Sequence, residues 1–131
     1  MKHVLLLIGI LFGISAVSNG LAQGAPTETG SEMLDLCDPG IKTLGGEVIS
    51  SGDGEKSLYC SGYVSGFIDG MVVTGPFRNG PNFICLPRSG VTSEQVIRVY
   101  VKYLREHPER LQQSGRVLLY ASLRHAFPCK R

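Results

Sequence analysis

Lys56-Ser57-Leu58-Tyr59-Cys60-Ser61-Gly62-Tyr63-Val64-Ser65-Gly66-Phe67-Ile68-Asp69-Gly70-Met71-Val72-Val73 is the stretch on which the reading of this chain turns. Gly62, Gly66 and Gly70 recur every four residues, and Ser57, Ser61 and Ser65 step alongside them. Positions four apart stack on one face of a helix, so the stretch reads as a helix carrying a stripe of small residues. Tyr59, Tyr63 and Phe67 run beside the stripe, while Leu58, Val64, Ile68 and Met71 add apolar bulk. A glycine inside a helix costs roughly 1 kcal/mol relative to alanine, a cost that close approach of another backbone would offset. The expectation is a central core helix, with Cys60 in its first turn and Asp69 near its end, against which other helices press.

Before this stretch the chain opens with Lys2 and His3, an apolar run over Val4–Val17, and a small, polar segment over Ser18–Gly24. That order of basic, apolar and small regions is the pattern of a secretory signal peptide. The apolar run is shorter than the ~20 residues a membrane-spanning helix needs. Gly20-Leu21-Ala22 supplies small residues at the −3 and −1 positions, placing cleavage after Ala22, with Gly24 and Ala25 as further candidates. Residues 1–22 therefore read as a signal peptide, 23–30 as a flexible polar tail, and 31–131 as one folded domain of an exported protein.

Four cysteines, Cys37, Cys60, Cys85 and Cys129, lie beyond the cut. An even count in a small exported domain reads as two disulfides. Zinc is a poor alternative, because no C-x-x-C occurs and His107 and His125 are too far apart for a finger-type pair. The chain carries a formal charge of +2, distributed unevenly. Lys42, Lys56, Arg78 and Arg88 are outnumbered by carboxylates in residues 25–90, whereas residues 91–131 are rich in arginine. Pairing between the two halves accounts for this asymmetry more simply than a nucleic-acid partner, which an exported domain rarely meets.

Ser31–Cys37 reads as a short helix capped by Ser31 and ended by Asp38-Pro39-Gly40, and the glycine-rich Ile41–Glu55 reads as a loop in which Glu47–Ser50 pairs as a short extended stretch. Thr74–Gly90 is dense in proline and glycine and reads as a long loop. Thr92-Ser93-Glu94-Gln95 is a capping box opening a helix to about Glu106. Its inner face is Val96, Val99, Tyr100, Tyr103 and Leu104, and Arg98, Lys102 and Arg105 form a basic outer stripe. His107-Pro108-Glu109 is a hinge, since proline suits the first turn of a helix and not its interior, and His107 is expected there as an N-cap or a surface residue. The last helix, Pro108 to about Ala126, is expected to bury Leu111, Gly115, Leu118, Ser122 and Ala126, with Leu119 and Leu123 beside them and His125 partly buried in its final turn. Two helices joined by a tight hinge lie antiparallel, which sets Cys85 beside Cys129 and leaves Cys37 to pair with Cys60. The fold class is all-α: a small disulfide-stapled domain of about four helices with a C-terminal antiparallel helix hairpin.

No catalytic constellation emerges. Asp69 lacks a second carboxylate at helical spacing for acid–base work and reads as structural. Cys129 with His125 four residues earlier reads as a disulfide cysteine rather than a nucleophile. No P-loop, G-x-S-x-G or H-E-x-x-H occurs. No cofactor, metal or catalytic residue is assigned.

An ordered series of short motifs does stand out: Tyr59-Cys60-Ser61-Gly62-Tyr63-x-x-Gly66-x-x-Asp69-Gly70, Cys85-Leu86-Pro87, Val91-Thr92-x-x-Gln95, Tyr103-Leu104-x-x-His107-Pro108-Glu109, and Ala126-Phe127-Pro128-Cys129. This series resembles the Rap/Tai-type immunity proteins of bacterial type VI secretion systems, over about Met33–Cys129. Gly115 departs from the pattern, standing where alanine is usual. The resemblance implies an all-helical periplasmic protein, often a homodimer, that binds a peptidoglycan amidase toxin and occludes its papain-like cleft without catalysis of its own. Within Thr74–Asn82, Phe77, Arg78, Asn79 and Gly80 are residue types common at interfaces, so this loop is the expected partner contact, with Ile41–Glu55 as the second choice. A periplasmic helical chaperone, binding many clients through an apolar face, is the competing reading, and a structural envelope protein a third.

Overall fold

Thr29, rather than Ser31, starts the first helix. Its hydroxyl accepts from the Glu32 backbone N–H, while the Glu32 carboxylate accepts from the Thr29 N–H at 2.7 Å, a complete capping box. The computed structural model describes residues 28–75 and 83–129. The expected signal peptide over 1–22 and the expected partner loop Phe77–Gly80 lie outside these described residues. The described residues form α1 (Gly30–Leu44), α2 (Ser51–Thr74), α3 (Ser93–Glu106), a 3₁₀ turn (Pro108–Arg110) and α4 (Gly115–Ala126). The domain thus begins before residue 31: Gly30 is buried, and the Glu28 carbonyl accepts from the Gly115 N–H at 2.6 Å. A tail free as far as residue 30 is not what forms, because these backbone groups are bonded to the end of the hairpin.

Two further expectations change. α1 does not stop at Asp38-Pro39-Gly40 but runs through Pro39 to Leu44. A proline inside a helix costs a hydrogen bond and crowds the preceding turn, yet here both Pro39 and Gly40 are buried against the rest of the domain. Gly40 faces Ser57, and Cys37 is bonded to Cys60, so α1 and α2 run antiparallel and their packing holds α1 helical through the proline. The segment Ile41–Glu55 is accordingly not one loop. It divides into the end of α1, a connection with Gly46 at φ 86°, where only glycine is unstrained, and the start of α2. Ser50 caps α2 by accepting from the Asp53 N–H at 3.1 Å. No strand forms at Glu47–Ser50.

α3 is the element at the centre. Val96, Ile97, Tyr100, Val101, Tyr103 and Leu104 are buried along it, and it packs on α1, α2 and α4. The expected inner face named Val99, which is only half-buried, and omitted Ile97 and Val101. They are buried because α3 is covered on several sides. Thr92 and Gln95 form the expected capping box. Met33, Cys37, Leu118, Leu119 and Leu123 complete the core. By contrast α2, the longest helix, buries only Cys60 and Val64.

Beyond α3, Pro108 opens a single 3₁₀ turn and not the last helix; α4 starts at Gly115. His107 both ends α3 and stands at the N-cap of the turn after it, where its side chain makes no cap bond. Its Nδ1 lies 2.8 Å from the Tyr103 carbonyl oxygen. Ile84 and Pro128 form an antiparallel bridge, and the Cys85 N–H donates to the Phe127 carbonyl at 2.9 Å. The second disulfide, Cys85–Cys129, closes this clasp, with its Cα atoms 4.9 Å apart.

Candidate functional site

The glycines of α2 look outward. Among the described residues, a Cβ built on Gly62, Gly66 or Gly70 meets nothing within 4 Å. Among the described residues no helix presses on the stripe, contrary to the expectation from sequence. The reason is geometric: α2 turns Cys60 and Val64 toward α1 and α3, and the Gly62–Gly66–Gly70 face lies on the other side. Tyr63, Phe67, Ile68 and Met71 pack at the edges of the core.

The uncovered face is apolar. Leu58 is 74% exposed, Val72 63% and Val73 66%. Tyr59, Gly62, Gly66, Asp69 and Val73 succeed one another at intervals of three and four residues, the spacing with which one helix seats against another. The Tyr59 hydroxyl donates to the Glu28 carboxylate, a bond that, with some burial, raises its pKa above the usual 10.0. Tyr63, half-buried beside it, is also raised, chiefly by desolvation. Asp69 is exposed and makes no hydrogen bond or ion pair within the described residues, so the structural pairing expected for it does not form there.

The other motif residues are dispersed. His107 and Pro108 lie at the far end of α3, where His107 stacks on Tyr103 with ring centroids 4.1 Å apart. His125, expected to be partly buried, is exposed, because the last turn of α4 projects past the core. All four cysteines are in disulfides, so no thiolate is available to pair with His125. Among the described residues no group of histidine, cysteine and carboxylate side chains is placed to hold a metal ion. Among the described residues one ion pair crosses the acidic and basic halves, Arg105 with Asp38. Lys56 pairs instead with Asp35 within the acidic half, at 2.9 Å.

What the arrangement shows among the described residues is an exposed apolar helix face on a frame clamped by two disulfides. A family model described as Rap1a immunity proteins matches residues 29–129, from the N-cap of α1 to the last cysteine. The chain belongs to the Rap1a immunity protein family. The family places its members as binders of a toxin protein, and it is generally non-enzymatic. No match was found among curated proteins or among solved structures. Among the described residues no helix is long and apolar enough to cross a membrane.

Sequence reasoning missed that the outer face of α2 is open. The signal was present: apolar residues surround α2 on all sides, with no broad polar face. That pattern belongs to a helix that is buried all round, and two thin neighbours do not supply that burial.

Proposed function

We propose that the chain is an exported immunity protein that protects its producer by binding a peptidoglycan amidase toxin delivered by type VI secretion and covering its catalytic cleft. The observation that carries the reading is the uncovered face of α2 in a member of an immunity family. A monomer gains nothing from presenting Leu58, Val72 and Val73 to water, whereas a protein partner buries them. Two disulfides suit an oxidising compartment such as the periplasm, in keeping with the secretory pattern of residues 1–22. Inhibition by occlusion needs no catalytic group.

The same face suits a second copy of the chain, so the protein is proposed to be a homodimer through α2. The segment carrying Phe77 and Arg78 follows α2 directly and remains the proposed contact inside the toxin's cleft. Co-expression with an amidase encoded beside it tests the reading. A stable complex and restored growth are expected, and their failure would favour a chaperone-like binder. Alanine at both Phe77 and Arg78 should weaken the complex by more than ~1 kcal/mol if this segment is a hot spot. A smaller change would move the contact to α2.

A further inference from the structure

The two disulfides meet solvent differently. Cys37 and Cys60 sit within α1 and α2 and are 0% and 1% exposed. Cys85 is exposed and Cys129 half-buried, and both lie outside the helices. Cys85 stands between Ile84, which is bridged to Pro128, and Leu86-Pro87, which runs into a turn.

Among the described residues, the contacts that hold this clasp besides the disulfide are few. The Cys85 N–H donates to the Phe127 carbonyl at 2.9 Å, and the Arg124 guanidinium lies 5.2 Å from the centroid of the exposed Phe83 ring. Ile84 and Phe127 pack only partly buried against the core. The elements on either side close within themselves: the Gly90 N–H donates to the Pro87 carbonyl, and the Thr92–Gln95 capping box starts α3. The helices are held instead by buried Tyr100, Leu104, Leu118 and Leu119, and by Cys37–Cys60. A segment with few buried contacts opens at a lower free energy than the core does.

Thiol–disulfide exchange begins when a thiolate reaches a disulfide sulfur, so access selects which bridge reacts. We propose that Cys85–Cys129 is an exchange site for a protein dithiol of the Cys-x-x-Cys class, and that reduction there opens the clasp while the helical core stays closed. A non-helical stretch such as Ile84–Leu86 is the form of backbone along which another protein's chain can lie. The reductant's thiolate attacks the exposed Cys85 sulfur. The S–S bond breaks, and its electron pair leaves with the Cys129 sulfur, which takes up a proton. The reductant's second thiolate then attacks its own sulfur in the mixed disulfide, and Cys85 leaves as a thiolate that is protonated. Two electrons and two protons pass to Cys85 and Cys129, and the dithiol becomes a disulfide. No toxin takes part, so the proposal stands apart from the immunity reading.

The test treats the folded mature domain with reduced thioredoxin, blocks new thiols with iodoacetamide and maps them by mass spectrometry. Cys85 and Cys129 should be labelled at least about tenfold faster than Cys37 and Cys60. Equal rates, or no labelling, overturn the proposal. A thioredoxin whose second active-site cysteine is serine should stop at the mixed disulfide on Cys85, and capture on any other cysteine overturns the assignment of the attacked sulfur. In the product, amide exchange should show the Cys85 N–H losing protection while Tyr100 and Val101 keep theirs. A Cys85 amide that stays protected, or a core that loses protection with it, overturns the opening of the clasp as a separate event.

Discussion

The hydroxyl of fully buried Tyr100 donates to the carbonyl oxygen of Gly115 across 2.8 Å, joining the middle of α3 to the first residue of α4. Burial raises the phenol's pKa above its usual value, so the hydroxyl stays a neutral donor. Gly115 is held from three sides: a Cβ there would fall 2.5 Å from Met33 Cγ, 3.0 Å from the Glu28 carbonyl oxygen and 3.2 Å from the Tyr100 hydroxyl. The glycine that departs from the family pattern is thus required by the close approach of the chain entering α1.

This junction predicts two costs. Tyr100→Phe removes this buried bond while the Gly115 carbonyl keeps its place in the α4 ladder, and should destabilise the domain by about 0.5–1.5 kcal/mol. Gly115→Ala overpacks the same place and should cost a comparable ~1–3 kcal/mol. Urea unfolding of each variant measures both. A Gly115→Ala variant as stable as the parent would show that the junction relaxes without cost.

The outer face of α2 predicts the opposite sign. A methyl group at Gly66 touches nothing among the described residues, so Gly66→Ala should stabilise the isolated domain by up to about 1 kcal/mol through helix propensity alone. The same change should weaken association, because it thickens the face on which a partner helix seats. Asp69→Ala removes no bond within the described residues and should leave unfolding free energy within ~0.5 kcal/mol, with its effect confined to association. Unfolding curves paired with sedimentation measurements separate the two. A destabilised Gly66→Ala monomer would mean that the face is covered within the domain itself.

The two disulfides should not contribute equally. Cys37–Cys60 closes a separation of 23 residues and Cys85–Cys129 one of 44. Chain entropy then assigns roughly 3 kcal/mol to the first and roughly 4 kcal/mol to the second. Serine at both cysteines of a pair, followed by thermal unfolding, should show the larger loss for Cys85–Cys129. Loss of Cys37–Cys60 should also loosen α1 beyond Pro39, which amide exchange from Gly40 to Leu44 would report. Unchanged protection there would assign the helix's continuation past the proline to packing alone.

Acid should weaken the domain through its caps and surface pairs. The hydrogen bonds from Thr29 hold the Glu32 carboxyl below its usual 4.5, and the bond from Lys102 does the same for Glu106. A carboxyl whose folded value is depressed contributes stability that is complete above its unfolded value and is lost as pH falls through the folded one. The contribution of both groups therefore fades below about pH 4.5. Lys56, raised above 10.5 by the hydrogen bond to Asp35, loses its contribution at the opposite end, as pH rises past that value. Glu32→Ala should flatten the acid limb of stability against pH, and an unaltered limb would remove Glu32 from it.

Much of the fold was legible in the chain itself. Thr92 and Gln95 announced the start of α3, the cysteines and the hinge at Pro108 announced a stapled helical domain, and the ordered motifs announced the family. Local chemistry sets these features: a capping box is complete within four residues, and a proline at the start of a turn fixes its own φ and needs no N–H donor there. Pro39 and Ser31 were misleading for the converse reason. The break expected at Pro39 is overridden by burial of α1 against α2, and the cap moves to Thr29 because the preceding backbone is pinned to Gly115.

The glycine stripe of α2 marks the limit between the two kinds of information. The spacing of Gly62, Gly66 and Gly70 determined by itself that α2 carries a stripe of small residues along one face. Which way that face turns was decided only by the tertiary structure. Cys60 must reach Cys37 and Val64 must enter the core beside α3, and the rigid geometry of a helix then sends the glycines the other way, to the surface.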